Sequence, residues 1–191
     1  MVPRALTLLL ASRSPQRRAI LEAIGVPFRA VDVDVSELED GPARDVALQN
    51  ARRKARAGAQ QAREGEVVVA VDTVVTADGV NWGKPDDEDA ARATLRALSG
   101  RTHEVVSGVV AGERSGAEVT RVTFHALDDA LLEWYVASGE WRGRAGGYAI
   151  QGRGGVLVAR VEGDYLNVVG LPVGCLAQLC GGFAAFLAER N

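Results

Sequence analysis

Glu66-Val67-Val68-Val69-Ala70-Val71-Asp72-Thr73-Val74-Val75-Thr76 is a β-branched run with one acid at its centre. Valine and threonine suit a pleated, half-buried surface, so the run predicts a strand. On its N-terminal side, Ala43–Arg63 is a proline-free Ala/Arg-rich stretch that predicts a long helix. Before that come a second strand over Phe28–Val33 and a first over Leu6–Ala11. Between those two strands, Ser14-Pro15 signals a helix start, with serine as cap and proline at the first helical position. Ile20, Leu21 and Ile24 supply that helix's apolar stripe, and Gly25 ends it. On the C-terminal side, Asp78-Gly79 marks a turn, and Asp86–Leu98 predicts a helix with acids in its first turn. Two strands near 102–112 and 117–126 follow, joined by a polar turn, then a short helix over Leu127–Ser138. A glycine-rich segment, 139–155, leads to a strand at 156–162, and Pro172 opens a final helix with Leu176, Leu179, Phe183, Phe186 and Leu187 on its apolar face. Strands alternate with helices first and form a hairpin later. The fold class expected is α/β, a mixed twisted sheet flanked by helices.

The chain has 191 residues, enough for one substantial core or two closely packed lobes, so residues 1–191 are read as a single domain. A formal net charge of -3 gives no global basic field to recruit a nucleic-acid polymer. No segment approaches the roughly 20 apolar residues of a membrane span. Met1–Leu10 resembles a signal peptide in its apolar run but lacks a small-residue cleavage site, and reads better as the first core strand. Cys175 and Cys180 fall on different sides of a helix, which argues against a disulfide or a metal clip; two buried free thiols fit a reducing cytoplasm.

Chemistry concentrates at a few positions. In Ser12-Arg13-Ser14-Pro15-Gln16-Arg17-Arg18, three arginines crowd a helix start, where the macrodipole disfavours cations and free N–H groups favour an anion. A phosphate cradle explains the cluster better than a solvated basic patch. Asp72 sits where a carboxylate is costly unless it has a partner: a metal, a cation or a catalytic proton. Lys54 shares a small-residue face with Ala47, Ala51 and Gly58, although a lysine snorkelling to solvent fits the spacing equally well. Lys84 is pinned between Gly83 and Pro85 in a loop; singly, such a lysine is most often just exposed. Glu37 lies in an acidic loop and is a candidate second ligand for a hard metal, with Glu39 and Asp40 no less acidic. His103 and His125 lack partners at zinc spacing, Ser12 and Ser14 lack a His/Asp relay, and no P-loop or dinucleotide fingerprint occurs.

Taken in order, Leu10-Ala11-Ser12-Arg13-Ser14-Pro15, Val71-Asp72-Thr73-Val74-Val75, Gly83-Lys84-Pro85, Leu98-Ser99-Gly100-Arg101-Thr102-His103-Glu104-Val105, Tyr148-Ala149-Ile150-Gln151-Gly152 and Val169-Gly170-Leu171-Pro172 resemble the Maf proteins over nearly the whole chain. The resemblance implies two lobes around a deep cleft and hydrolysis of a nucleoside triphosphate between its α and β phosphates, assisted by Mg²⁺ or Mn²⁺. It implies Asp72 as catalytic proton acceptor, with Ser12, Arg17, Glu37, Lys54, Lys84 and Gln151 lining the active site; on the chemistry of these side chains, Glu37 and Asp72 are the expected metal pair, and Ser12, Arg17, Lys54 and Lys84 the expected substrate and phosphate contacts. Thr73 and Gln151 resemble the branch acting on dTTP and UTP rather than the one acting on 7-methyl-GTP; a glutamine amide can pair with the O4/N3–H edge of a pyrimidine. Two positions depart from the family pattern. Gln16 stands where the family usually has arginine, at a position tied to base preference, and Gly143 stands where it usually has aspartate. Two rival expectations follow: a phosphatase releasing orthophosphate, and a non-catalytic nucleotide sensor in division control, since the family is linked to septum formation. The expected partner is the nucleotide, and a homodimer is compatible with the sequence.

Overall fold

The computed structural model describes residues 7–182 and Phe186; Leu6, Phe183 and Leu187 lie outside the described residues. Seven strands, β1 (Thr7–Ala11), β2 (Phe28–Val31), β3 (Glu66–Ala77), β4 (Val80–Trp82), β5 (Thr102–Ala111), β6 (Arg114–Phe124) and β7 (Val158–Glu162), form one mixed sheet. Its order is β2-β1-β3-β5-β6-β7, with β4 on β3. β1 runs parallel to β2 and β3; the other pairings are antiparallel. Leu8, Leu9 and Leu10 are all fully buried, as expected of a strand covered on both faces.

β3 decides the architecture. It pairs with β5 along most of its length, from Val69↔Ala111 to Thr76↔Glu104. On its other edge, β1 stops at Leu10↔Val69 and β4 begins only at Val75↔Trp82. The stretch between has no strand on that side, and a cleft opens there.

Helices cover both faces. α1 (Pro15–Ala23), α5 (Tyr165–Val169) and α6 (Val173–Leu179) lie on one side, where Ile20, Leu21, Leu166 and Leu176 meet Val69, Val71 and Val109. α2 (Ala43–Ala59) lies on the other, where Ala51 and Ala55 meet Ala70 and Val110, and Ala47 meets Val74 and Val106. Small residues let α2 come very close: a Cβ on Gly108 would stand 2.4 Å from the Ala47 carbonyl, and one on Gly58 would stand 2.6 Å from the Ala11 Cβ. α3 (Glu88–Leu98) and α4 (Asp129–Ala137) pack against β5, β6 and the 139–157 segment around Leu95, Phe124, Tyr135, Trp141 and Tyr148. Asp87 and Asp128 cap these helices by accepting from Ala90 and Leu131 N–H groups.

Several boundaries differ from the sequence reading. β6 starts at Arg114, because Gly112 (φ 58) and Glu113 alone close the hairpin with β5. β2 stops at Val31, and the segment before β7 is a 3₁₀ turn over Arg153–Leu157. β4 and α5 were not expected: each is short, and β4 exists because Asp78 (φ 50) and Gly79 (φ 78) turn the chain back onto β3. Cys175 and Cys180 are free, as expected, but half-buried rather than buried. No helix among the described residues is long and apolar enough to cross a membrane.

Candidate active site

Strand alternation splits the centre of β3 between the two faces of the sheet. Ala70, Asp72 and Val74 look toward α2; Val71 and Thr73 look toward α1. The cleft therefore straddles the open edge, and both helices contribute to it. It has a volume of about 800 Å³, and Ser12, Gln16, Arg17, Glu37, Lys54, Asp72, Thr73, Lys84 and Gln151 all line it. Every site residue expected from the sequence is thus brought to one place.

On the α2 side, Asp72 is 6% exposed. One carboxylate oxygen, Oδ1, accepts from Lys54 Nζ at 2.5 Å; the other, Oδ2, accepts from Asn50 Nδ2 at 3.1 Å. Lys54 Nζ also meets Glu37 Oε1 at 2.6 Å, so one ammonium joins two carboxylates. Lys54 does not snorkel away: it is buried, and α2's close approach delivers it to Asp72. Lys84 Nζ, more exposed, lies 3.7 Å from the other Glu37 oxygen. Burial works to raise the Glu37 carboxyl, but the hydrogen bond from Lys54 and the charges of Lys54, Lys84 and Arg17 outweigh it, so the net shift is downward and the group stays ionised.

On the α1 side, Ser14 caps the helix by accepting from Arg17 N–H, and its hydroxyl donates to Gln16 Oε1 at 3.0 Å. The Arg17 guanidinium is buried and donates three ways: Nε to Gly170 O at 2.8 Å, Nη1 to Ser12 Oγ at 3.1 Å, Nη2 to Thr73 Oγ1 at 3.2 Å. The Thr73 hydroxyl shares a further hydrogen bond with Ser107 at 2.9 Å, its cross-strand partner. Burial lowers the Arg17 pKa, against the attraction of Asp72 and Glu37. Arg18, one residue on, turns out of the cleft to donate to Asp32 Oδ1 at 2.7 Å and to Ser12 O. It does not take the place that Gln16 leaves.

Asn50 and Ser107 were missed by sequence reasoning, and Gly170 was read as part of a motif with no role of its own. A buried asparagine in a helix interior is itself a signal, since such an amide needs partners. Ser107 carries no comparable local signal. Away from the cleft floor, His103 is buried against Tyr148 and Phe124, with Nε2 at 2.9 Å from the Tyr148 hydroxyl. Among the described residues, no group of three or more His, Cys, Asp or Glu is placed to hold a metal ion.

The profile described as Maf-like protein matches residues 7–183. The chain belongs to the Maf family. Curated relatives named "dTTP/UTP pyrophosphatase" align along almost the whole chain. The one from Pyrococcus furiosus is 42% identical, covering 90% of this chain and 93% of that protein. That of Deinococcus radiodurans is 47% identical, with 91% of each covered. That of Anaeromyxobacter dehalogenans is 45% identical, covering 94% and 93%. Most of the motifs that suggested Maf reach the cleft: the Ser12–Arg17 segment, the β3 centre, Gly83 and Lys84, Tyr148 and Gln151, and Gly170 at the end of α5; of Leu98–Val105, Val105 alone lines it.

Proposed function

We propose that this protein is a nucleoside triphosphate pyrophosphatase that hydrolyses dTTP and UTP to the monophosphate and pyrophosphate. The observation that carries the reading is the buried Asp72 carboxylate, held by Lys54 and Asn50 at the floor of a cleft rimmed by Arg17 and Lys84. The names of the Maf relatives support the substrate class and the bases.

The donor set fits a Mg²⁺ or Mn²⁺ ion. Glu37 and Asp72 converge closely enough for one ammonium to touch both, and carboxylates completed by phosphate oxygens and water are the usual Mg²⁺ shell. With Glu37 and Asp72 as the protein ligands, phosphate oxygens and water would complete the shell. A bound divalent ion would polarise the phosphate and neutralise charge at the scissile bond. Asp72 orients an attacking water and takes its proton. Lys54, Lys84 and Arg17 balance the charge that builds on the leaving pyrophosphate. Ser12 and Thr73 hold the Arg17 fork from two sides, so that its plane is fixed before substrate arrives. Gln16 and Gln151, at the cleft lining, are the positions proposed to read the base. The cytoplasm, a homodimer and a link to septum formation are the setting that goes with this reading.

The deciding experiment incubates the protein with canonical and modified triphosphates, including 7-methyl-GTP, with Mg²⁺ and with Mn²⁺, and measures pyrophosphate. Pyrophosphate from dTTP and UTP is expected. Orthophosphate alone would identify a phosphatase, and tight dTTP binding without hydrolysis would identify a sensor. Asp72→Asn is expected to lose nearly all turnover while keeping nucleotide binding; near wild-type activity in that variant removes the assigned role.

A further inference from the structure

The acidic segment that carries Glu37 has no regular structure between β2 and α2, yet side chains grip its backbone at successive points. Arg53 donates to Ser36 O at 2.7 Å. Asn81 of β4 donates to Glu39 O at 2.9 Å and Gly41 O at 3.0 Å. Between them, Asn50 Oδ1 accepts from Leu38 N at 2.7 Å, and Asn50 Nδ2 donates to Leu38 O at 2.9 Å. Of these three residues, Asn50 alone also reaches Asp72.

The environment dictates which way this amide faces. The Leu38 N–H needs an acceptor, so the carbonyl oxygen must face it. The amide nitrogen then faces two acceptors, Leu38 O and the Asp72 carboxylate, and has one hydrogen for each. Three contacts thus use one acceptor and two donors on a side chain that is 2% exposed. Flipping the amide would break all three.

We propose that Asn50 is a positioning residue of the reaction, whose single amide locks the Asp72 carboxylate and the Glu37 loop into one unit. Asp72 Oδ2 is tied to the peptide of Leu38, and Leu38 is the residue next to Glu37. Asp72 Oδ1 and Glu37 Oε1 are tied to each other through Lys54. The two ties make a closed ring: Asp72, Asn50, the Leu38 peptide, Glu37 and Lys54. A ring of this kind fixes the rotation of the Asp72 carboxylate and the separation of the two acids at once. Neither Lys54 nor Asn50 alone does both.

The kinetic part of this inference rests on the pyrophosphatase reading; the loop tie does not. Two variants test it. Asn50→Leu keeps the bulk and deletes all three hydrogen bonds. Asn50→Asp keeps the shape and the acceptor for Leu38 N–H, but presents oxygen where Asp72 and Leu38 O need a donor. Hydrogen exchange of the segment containing Leu38 is expected to be at least 10-fold faster in Asn50→Leu than in wild type. For both variants, confirmed folded by circular dichroism, kcat on dTTP is expected to fall at least 30-fold with KM within 3-fold. Wild-type kcat in either folded variant, or a rate lost only through a raised KM, overturns the positioning role. Unchanged exchange overturns the tie. A wild-type protein that releases no pyrophosphate sinks the pyrophosphatase reading instead, and the exchange measurement still decides the tie.

Discussion

Gly108→Ala is the smallest change that should disable the cleft without touching it. Gly108 is the β5 partner of Asp72, and α2 crosses directly above it. An added Cβ would stand 2.4 Å from both the carbon and the oxygen of the Ala47 carbonyl and 2.5 Å from Leu48 N. Ordinary contact begins near 3.4 Å, and the atoms met are backbone, so no side chain can swing away. α2 must lift by about 1 Å. Asn50 and Lys54 lie one and two turns further along the same helix. Their contacts with Asp72, at 3.1 and 2.5 Å, would stretch to about 4 and 3.5 Å, beyond good hydrogen-bonding distance. Overpacking of this kind costs about 1–3 kcal/mol, which for a chain this long lowers Tm by roughly 2–12 °C. A 1 Å misplacement at a reacting centre costs on the order of 10²-fold in rate. The assay pairs a thermal melt with pyrophosphate release from dTTP. Gly174→Ala in α6 is the control, since a Cβ there meets nothing within 4 Å. Wild-type Tm and turnover in Gly108→Ala would refute the claim that α2's approach delivers Lys54 and Asn50 to Asp72.

Two further outcomes follow from other parts of the structure. Arg17→Lys keeps the charge but cannot reach Gly170 O, Ser12 Oγ and Thr73 Oγ1 together, so kcat/KM should fall on the order of 10- to 100-fold, measured by steady-state kinetics. His103 bears on stability against pH: burial lowers its pKa to about 4, below the ordinary value of about 6.5. The unfolded chain therefore takes up the proton first; the stabilisation is complete above pH 6.5 and is lost as pH falls toward 4, by roughly 3 kcal/mol. Melts across that window should show Tm falling with acid in wild type and a flatter profile in His103→Gln; equal slopes would reject the assignment.

What the sequence made legible was local. Ser14-Pro15 start a helix wherever they occur before an apolar stripe, and the valine run around Asp72 is a strand by its composition. The small-residue face of α2 was visible as spacing, but its meaning was not. Whether Lys54 meets an acid or solvent depends on how closely the helix approaches, and that is set by Gly108, about fifty positions away in the chain. Thr73 read as a specificity position; the structure puts its hydroxyl on Arg17 and Ser107, a pairing that requires the β3–β5 register. Arg18 belonged to the basic cluster by sequence, but its Asp32 partner comes from beyond β2, which no local pattern names. β4 was hidden because three residues carry too little periodicity to register.

The handover along β3, from β1 to β4, acts as a ruler. The length of the opening is the number of residues between Val69 and Val75, a count that rests on backbone pairing rather than on side-chain identity. Adding or removing one residue there would exchange the sides of the sheet, sending the carboxylate toward α1 and the hydroxyl toward α2. Rim side chains such as Gln16 and Gly143 line the opening but do not set its length. A single-residue slip in the strand would leave every motif in the chain and no site.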